Sequence, residues 1–600
     1  MPRKRIFCIL FLLISFASAQ FYFGRNKIQY EQFDWRILKT DHFHIYYYQQ
    51  EGEIAGIAAQ VLEDSYRDLE VKFNHTLWDT VPLIIYGSHI HFQQTNILPM
   101  MIPEGVGGFF EHRKGRVVIP YLGDLSAFRN VLTHELAHVF TFSKMMTPVR
   151  MKLINSPPAI PHWFSEGLAE WWSVGWDTQS EMVIRDRLVN GTLVPLSEVG
   201  GYLSYKEGQA FLRWFQEQYG IERIRRLMED YWIYQTFQEC LEHIAGLKFQ
   251  DLHSQWLQSL RHRTADDLAG DVPGMSQSSL ITSEGVNIFP VTYLDSRDQR
   301  HVVYLSSREG FPVIYQHPLY SENQRRRLAK SGQNTNIESV HFLESGMDVY
   351  QGEKLVIAAR SNRQDVLQVL DLDSGKITAT YGHDSLVTIR SPRWSPDGKR
   401  ILFGGQDFSG RSDIFLLDIA QDQIFNLTND IFTDRDPSFD PTGANIVFSS
   451  DRIKNNYNTG LDLFMMDPSS GNIRLLLKDQ ARKIFPSWSK TNPDKIHYLS
   501  DRSGMTNIWS LSRDEVQAGN LTLRQETDFH TGISQFQPLG SDSAVAGVFK
   551  DFSYQVAALP LDSIAVLNWA ADPDMKISAN WPPRIGKGEN TRHLPFKLRY

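Results

Sequence analysis

His134, Glu135 and His138 stand in Thr133-His134-Glu135-Leu136-Ala137-His138, a His-Glu-x-x-His pattern inside an apolar stretch suited to a helix. Residues four apart share one helix face, so the two imidazoles can converge on one metal ion. Glu135 lies beside that face, placed to take a proton from a water that such an ion polarises. Two ligands and a neighbouring base are what metal-assisted hydrolysis requires. The third ligand has to come from another element. Pro161-His162-Trp163-Phe164-Ser165-Glu166-Gly167-Leu168-Ala169-Glu170 reads as a second helix, opened by Pro161 and stopped by Gly175. Glu166 is the candidate: two neutral imidazoles and one carboxylate leave a divalent ion net positive, with one position open to water. The ion this set implies is Zn2+, one per chain.

Leu132, Leu136, Val139 and Phe140 give the first helix a buried stripe, and Asp124 or Ser126 can cap its start. Upstream, residues 33–38, 43–48 and 82–86 read as strands and 54–73 as a helix, an α+β pattern. A further strand at 115–120 ends in Pro120, which predicts a sheet edge where an extended peptide could add by strand pairing. His89 and His91 would share one face of an extended segment. No third ligand is near them, so packing or a surface role is the default. Helices at 209–219, 221–234 and 249–261 carry apolar residues at helical spacing and supply core.

The run His134-Glu135-Leu136-Ala137-His138 followed by Trp163-Phe164-Ser165-Glu166-Gly167-Leu168-Ala169-Glu170 resembles the gluzincin metallopeptidases, the group that contains thermolysin and the aminopeptidase N family. The resemblance implies that Glu166 is the third zinc ligand. It also implies that Glu170, one turn on, orients a zinc-bound imidazole through its other ring nitrogen. Tyr205-Lys206-Glu207-Gly208 resembles the Y-E-K-G segment of the aminopeptidase N family, which implies that Tyr205 hydrogen-bonds the developing oxyanion, with Tyr202 competing for that role. Two features depart from that family. The segment between His138 and Glu166 is longer, leaving an inserted loop around 144–158. No G-x-M-E-N signature grips a substrate amino terminus, and Gly107-Gly108-Phe109-Phe110-Glu111 only loosely occupies its place. Endopeptidase action on a peptide or protein substrate is therefore favoured over aminopeptidase action.

After Asp266 short strands and turns repeat at a period of roughly 45–50 residues. Ser391-Pro392-Arg393-Trp394-Ser395-Pro396-Asp397-Gly398 recurs as Asp436-Pro437-Ser438-Phe439-Asp440-Pro441-Thr442-Gly443 and as Phe485-Pro486-Ser487-Trp488-Ser489. Weaker copies at Phe289-Pro290, Leu355-Val356-Ile357 and Gln537-Pro538 bring the expected blades to six. The pattern resembles the propeller repeats of TolB and its relatives, which implies partner binding or restricted access to an attached hydrolase. The expected organisation is multidomain: a signal peptide at 1–19, an α+β gluzincin-like metallopeptidase domain at 20–268, an all-β six-bladed propeller at 271–566, and a tail or linker at 567–600.

The 600 residues are 42% hydrophobic and 22% charged with a net charge of -8, a globular composition with no basic footprint for nucleic acid. Met1-Pro2-Arg3-Lys4-Arg5, an apolar run to Phe16 and Ala17-Ser18-Ala19 predict a signal peptide and export, to a periplasmic, extracellular or outer-membrane-associated place. No later stretch is apolar for long enough to cross a bilayer. Cys240 is then the one cysteine of the mature chain, expected to be a buried small hydrophobe. Two functions follow: a zinc metallopeptidase whose propeller governs access or binds a partner, or a non-catalytic, propeller-centred binding or envelope-assembly protein.

Overall fold

The computed structural model describes residues 32–569 apart from 49–51, 99–101, 104, 157, 270–278, 333–336, 343–344, 363 and 453–459. The expected signal segment, 1–19, and residues 570–600 of the expected tail lie outside the described residues.

Aromatic and β-branched residues with alternating burial build the first sheet. Trp35–Lys39 (β1) pairs antiparallel with Phe43–Tyr48 (β2), and β2 runs parallel to Val81–Tyr86 (β3). Past Gly52–Phe73 (α1) and His89–Gln93 (α2), Phe109–Glu111 (β4) pairs antiparallel with Arg116–Pro120 (β5), which runs parallel to β3. Phe43, Ile45, Leu83 and Ile85 point from this sheet into a core shared with the apolar face of α1. The sheet order β1-β2-β3-β5-β4 corrects one expectation: the strand ending in Pro120 is interior, and the edge belongs to β4. β4 pairs only with Arg116–Val118, so the N–H that Pro120 lacks has no ladder position to leave empty there. His89 and His91 are corrected too, because Ser88 caps a short helix that carries both. His91 is buried with Nδ1 2.8 Å from the Tyr48 hydroxyl, and His89 Nε2 lies 3.1 Å from the Pro103 carbonyl, so both pack.

Leu125–Met145 (α3) carries the His-Glu-x-x-His stretch. Asp124 caps it, its carboxylate accepting the Ala127 N–H at 2.8 Å, and Leu132, Leu136, Val139 and Phe140 are buried. The helix lies on α1, where the Ser65 and Thr133 hydroxyls meet at 2.8 Å and Phe73 stacks on Phe140. A short helix, Thr147–Arg150 (α4), begins the expected inserted loop. His162–Ser173 (α5), Thr178–Val189 (α6) and Tyr202–Tyr219 (α7) follow, then Ile221–Asp230 (α8), Phe237–Ala245 (α9) and Phe249–Ala269 (α10). Cys240 is buried and free, as its setting predicted.

Helices α5 and α7 cross at two glycines. A Cβ on Gly167 would stand 2.3 Å from the Gly208 carbonyl carbon, and one on Gly208 would stand 2.1 Å from the Trp163 oxygen. No residue with a side chain permits that approach. The crossing sets Glu166 and Glu170 of α5 beside Tyr205 and Lys206 of α7.

Among the described residues six antiparallel sheets follow, at 287–330, 347–382, 386–426, 434–477, 483–525 and 533–560. Ser279–Leu280 (β6) pairs with Ala557 and Ala558 as the outer strand of the last sheet, so the two ends of the array meet in one blade and close the ring. Phe289, Ser391, Asp436 and Phe485, each followed by Pro, have φ of 53°, 51°, 55° and 51° and mark a bulge in the innermost strand of their blades. The chain is thus an N-terminal α/β region joined to a six-bladed β-propeller. Residues from every blade line a central cavity of about 360 Å³.

One propeller face carries the α/β region. Gln406 donates to the Tyr121 carbonyl at 3.2 Å, Thr433 Oγ1 accepts the Leu125 N–H at 3.4 Å, and Arg435 lies 3.6 Å from Asp124. Thr178 donates to Asp501 at 3.1 Å, and Asp186 accepts the Asp551 and Phe552 N–H groups at 2.9 and 2.8 Å. The start of α3 therefore rests on the third and fourth blades, and α6 on the last two.

Candidate metal centre

Helical spacing turns His134 and His138 of α3 to one side, and the glycine crossing brings Glu166 up to them. His134 Nε2 and His138 Nε2 are 3.1 Å apart, and Glu166 Oε2 lies 3.5 and 3.2 Å from them. Ligand atoms about 2.05 Å from a common centre in tetrahedral array are roughly 3.3 Å apart. The triangle has that size. Two imidazole nitrogens facing each other at 3.1 Å repel unless a cation or a proton lies between them, so the residues fit one small divalent ion.

The surroundings also call for positive charge. Burial works against a charged His134, but the Glu166 and Glu170 carboxylates beside it outweigh burial and raise the imidazole to about 10. Glu166 is held below the usual carboxylate range: burial pushes it up, and the two imidazoles pull it down further. Glu170 Oε1 lies 3.1 Å from His134 Nδ1, at ion-pair distance though off the N–H direction. Against burial, His134 and Lys206 hold Glu170 down to about 2. Lys206 donates to Glu170 Oε2 at 2.7 Å. That lysine went unread in the sequence; its only signal is that it follows Tyr205.

Glu135 is buried beside the triangle, and burial raises its carboxyl despite the two imidazoles. The Tyr205 ring lies nearly parallel to that of His134, with centroids 5.9 Å apart, and burial together with Glu166 raises its phenol. Tyr202 stands one step further out, 6.4 Å from Tyr205, so of the two tyrosines Tyr205 is nearer the imidazoles. His162 and Ser165 were also missed: His162 Nε2 is 3.5 Å from Glu166 Oε1, and Ser165 Oγ is 3.4 Å from His138 Nδ1.

Asp413, Asp430 and Asp434 of the propeller also gather their carboxylates. There Arg452 supplies the positive charge, 3.0 Å from Asp430 and 2.5 Å from Asp434. The central cavity of the propeller is lined by none of the residues around His134.

No protein-family model matches the chain, and no curated protein is matched. Among solved structures, TolB from Acinetobacter baumannii is 16% identical with a TM-score of 0.31, over 48% of this chain and 57% of that one. A putative TolB from Agrobacterium tumefaciens is 19% identical with a TM-score of 0.33, over 41% of this chain and 83% of that one. A prolyl endopeptidase is 14% identical with a TM-score of 0.32, over 53% of this chain and 55% of that one. The chain thus spans little more than half the length of the first of these. The six-bladed propeller is read from the closed ring of sheets. No helix among the described residues is long and apolar enough to cross a membrane.

Proposed function

We propose that this chain is an exported zinc metallopeptidase of gluzincin type that cuts within peptide chains. The observation that carries it is the triangle of His134 Nε2, His138 Nε2 and Glu166 Oε2 with a buried carboxylate, Glu135, next to it. Zinc held by these three atoms would supply a Lewis acid and lower the pKa of water. Glu135, its carboxyl raised by burial, accepts the proton of the attacking water and passes it to the leaving nitrogen. Tyr205, its phenol kept protonated by burial and by Glu166, donates to the carbonyl oxygen as charge develops there. Glu170 holds His134, and Lys206 holds Glu170.

The β4 edge lies over α3, with the Phe110 ring 5.7 Å from that of Phe142. Its outer backbone groups, unpaired among the described residues, suit an extended substrate held without regard to sequence. The propeller, with its cavity lined by all six blades, is the place for a protein partner.

The test is hydrolysis of an unfolded protein by the full chain with zinc, with chelator, and after zinc is restored. The proposal expects cleavage at internal bonds that chelator abolishes and zinc recovers. Cleavage indifferent to chelator would refute it.

A further inference from the structure

The propeller reaches the surroundings of His134 through one hairpin turn. Strands Ser543–Lys550 and Ser553–Pro560 pair up to Lys550 and Ser553, leaving Asp551 and Phe552 as a two-residue loop. Both have positive φ, 51° and 55°, a pair that Asn-Gly adopts readily and a phenylalanine does not. Asp186 of α6, only 2% exposed, accepts both turn N–H groups, that of Asp551 on Oδ1 and that of Phe552 on Oδ2. An unfavourable turn is thus clamped from the other region, and the clamp fixes where the Phe552 ring goes. It goes beside Tyr202, with centroids 6.3 Å apart, and the two residues stay 42% and 43% exposed. Tyr202 is followed inward by Tyr205 at 6.4 Å and Tyr205 by His134 at 5.9 Å, with ring planes 20° and 14° apart.

We infer that Phe552 and Tyr202 form a subsite for an aromatic or large aliphatic side chain of the peptide substrate, built jointly by the propeller and the α/β region. This rests on the metallopeptidase reading of the His134 cleft. Same-face side chains of an extended peptide recur roughly every 6.8 Å, close to the spacing of the rings. A peptide whose scissile bond lies at His134 brings a side chain to the Tyr202–Phe552 pair roughly four residues away. Two exposed rings there offer offset stacking to a third. Lys206, its Nζ 6.0 Å from the Tyr202 ring, ties that ring to the Glu170 pair.

Binding is read by calorimetry on full-length, zinc-loaded Glu135→Gln protein, which is not expected to consume the probe. The probes are blocked Ala/Ser octapeptides with a single Phe walked along the chain, and hydrolysis by the parent is followed in parallel. One Phe position should bind about tenfold tighter than the Phe-free peptide. The advantage should vanish in Phe552→Ala and in the double variant Asp551→Asn, Phe552→Gly, whose Asn-Gly turn keeps the hairpin without the ring. No Phe advantage at any position, or one that survives in the folded Asn-Gly variant, overturns the subsite. If the parent still cleaves in that case, the peptidase reading stands alone. If the Phe advantage is present and ring-dependent but the parent never cleaves, the subsite stands and the peptidase reading fails.

Discussion

His138 and Glu170 act on the same triangle, and their losses should be separable. His138→Ala removes one corner, so zinc content by plasma emission should fall from about one ion per chain to under about a tenth. Full retention would exclude His138 as a ligand. Glu170→Gln keeps all three donor atoms but replaces the carboxylate between His134 and Lys206. Zinc affinity, measured by competition with a chromophoric chelator, should weaken about 10–100-fold. An unchanged affinity would leave Glu170 no part in holding His134. His134, Glu135 and His138 could be read from the sequence because helix geometry turns a spacing of four into a shared face. Glu166 and Glu170 could be read because a second motif carried them. Lys206 could not, since its partner lies on another helix and a charge pair between helices leaves no periodic trace.

At the scale of elements, the α5–α7 crossing makes the centre. Gly208→Ala drives a Cβ into the Trp163 carbonyl, so the helices must separate. Unfolding in urea should show a loss of about 2–3 kcal/mol, with weakened zinc binding. A variant as stable as the parent would mean that the crossing is not tight.

The end of α3 carries a pH dependence of its own. His75 lies 2.9 Å from Ser143, and burial, aided by Lys144, holds its imidazole down to about 4. As pH falls, the unfolded chain takes that proton first, near 6.5. The stability His75 contributes is therefore complete above about 6.5 and is lost as pH falls towards about 4. In urea at about pH 7.5 and pH 5, the parent should lose about 1 kcal/mol more than His75→Gln, the linkage being reduced by solvent screening of a half-buried ring. Equal losses would mean that His75 is solvated in the native state.

Two elements misled the sequence reading for physical reasons. Helix α7 begins at Tyr202, not at 209, because Gly208 and Ser204 look like breakers until packing on α5 outweighs propensity. β4 is three residues long, too short to show alternation, so the edge was assigned to its neighbour.

Over the whole molecule, the blades were legible and their docking was not. Repeated X-Pro and Asp-Gly turns give a period that survives drift in the rest of each blade, whereas the contacts that Gln406, Arg435 and Asp186 make between the two regions have no repeat behind them. Asp186 joins the regions most directly. Asp186→Ala strips two N–H groups of a charged acceptor and frees an unfavourable turn, a loss of about 3 kcal/mol. Calorimetry should show Tm lower by about 2–3 °C. A Tm within about 1 °C of the parent would mean that the turn holds itself.

The central claim is that Glu135 works on water beside a zinc ion held by His134, His138 and Glu166. It is tested most directly by measuring zinc content and peptide hydrolysis together in the parent and in Glu135→Gln. The account predicts equal zinc, about one ion per chain, and hydrolysis lower by about 10²–10⁴-fold in the variant. Equal zinc with undiminished hydrolysis would contradict it.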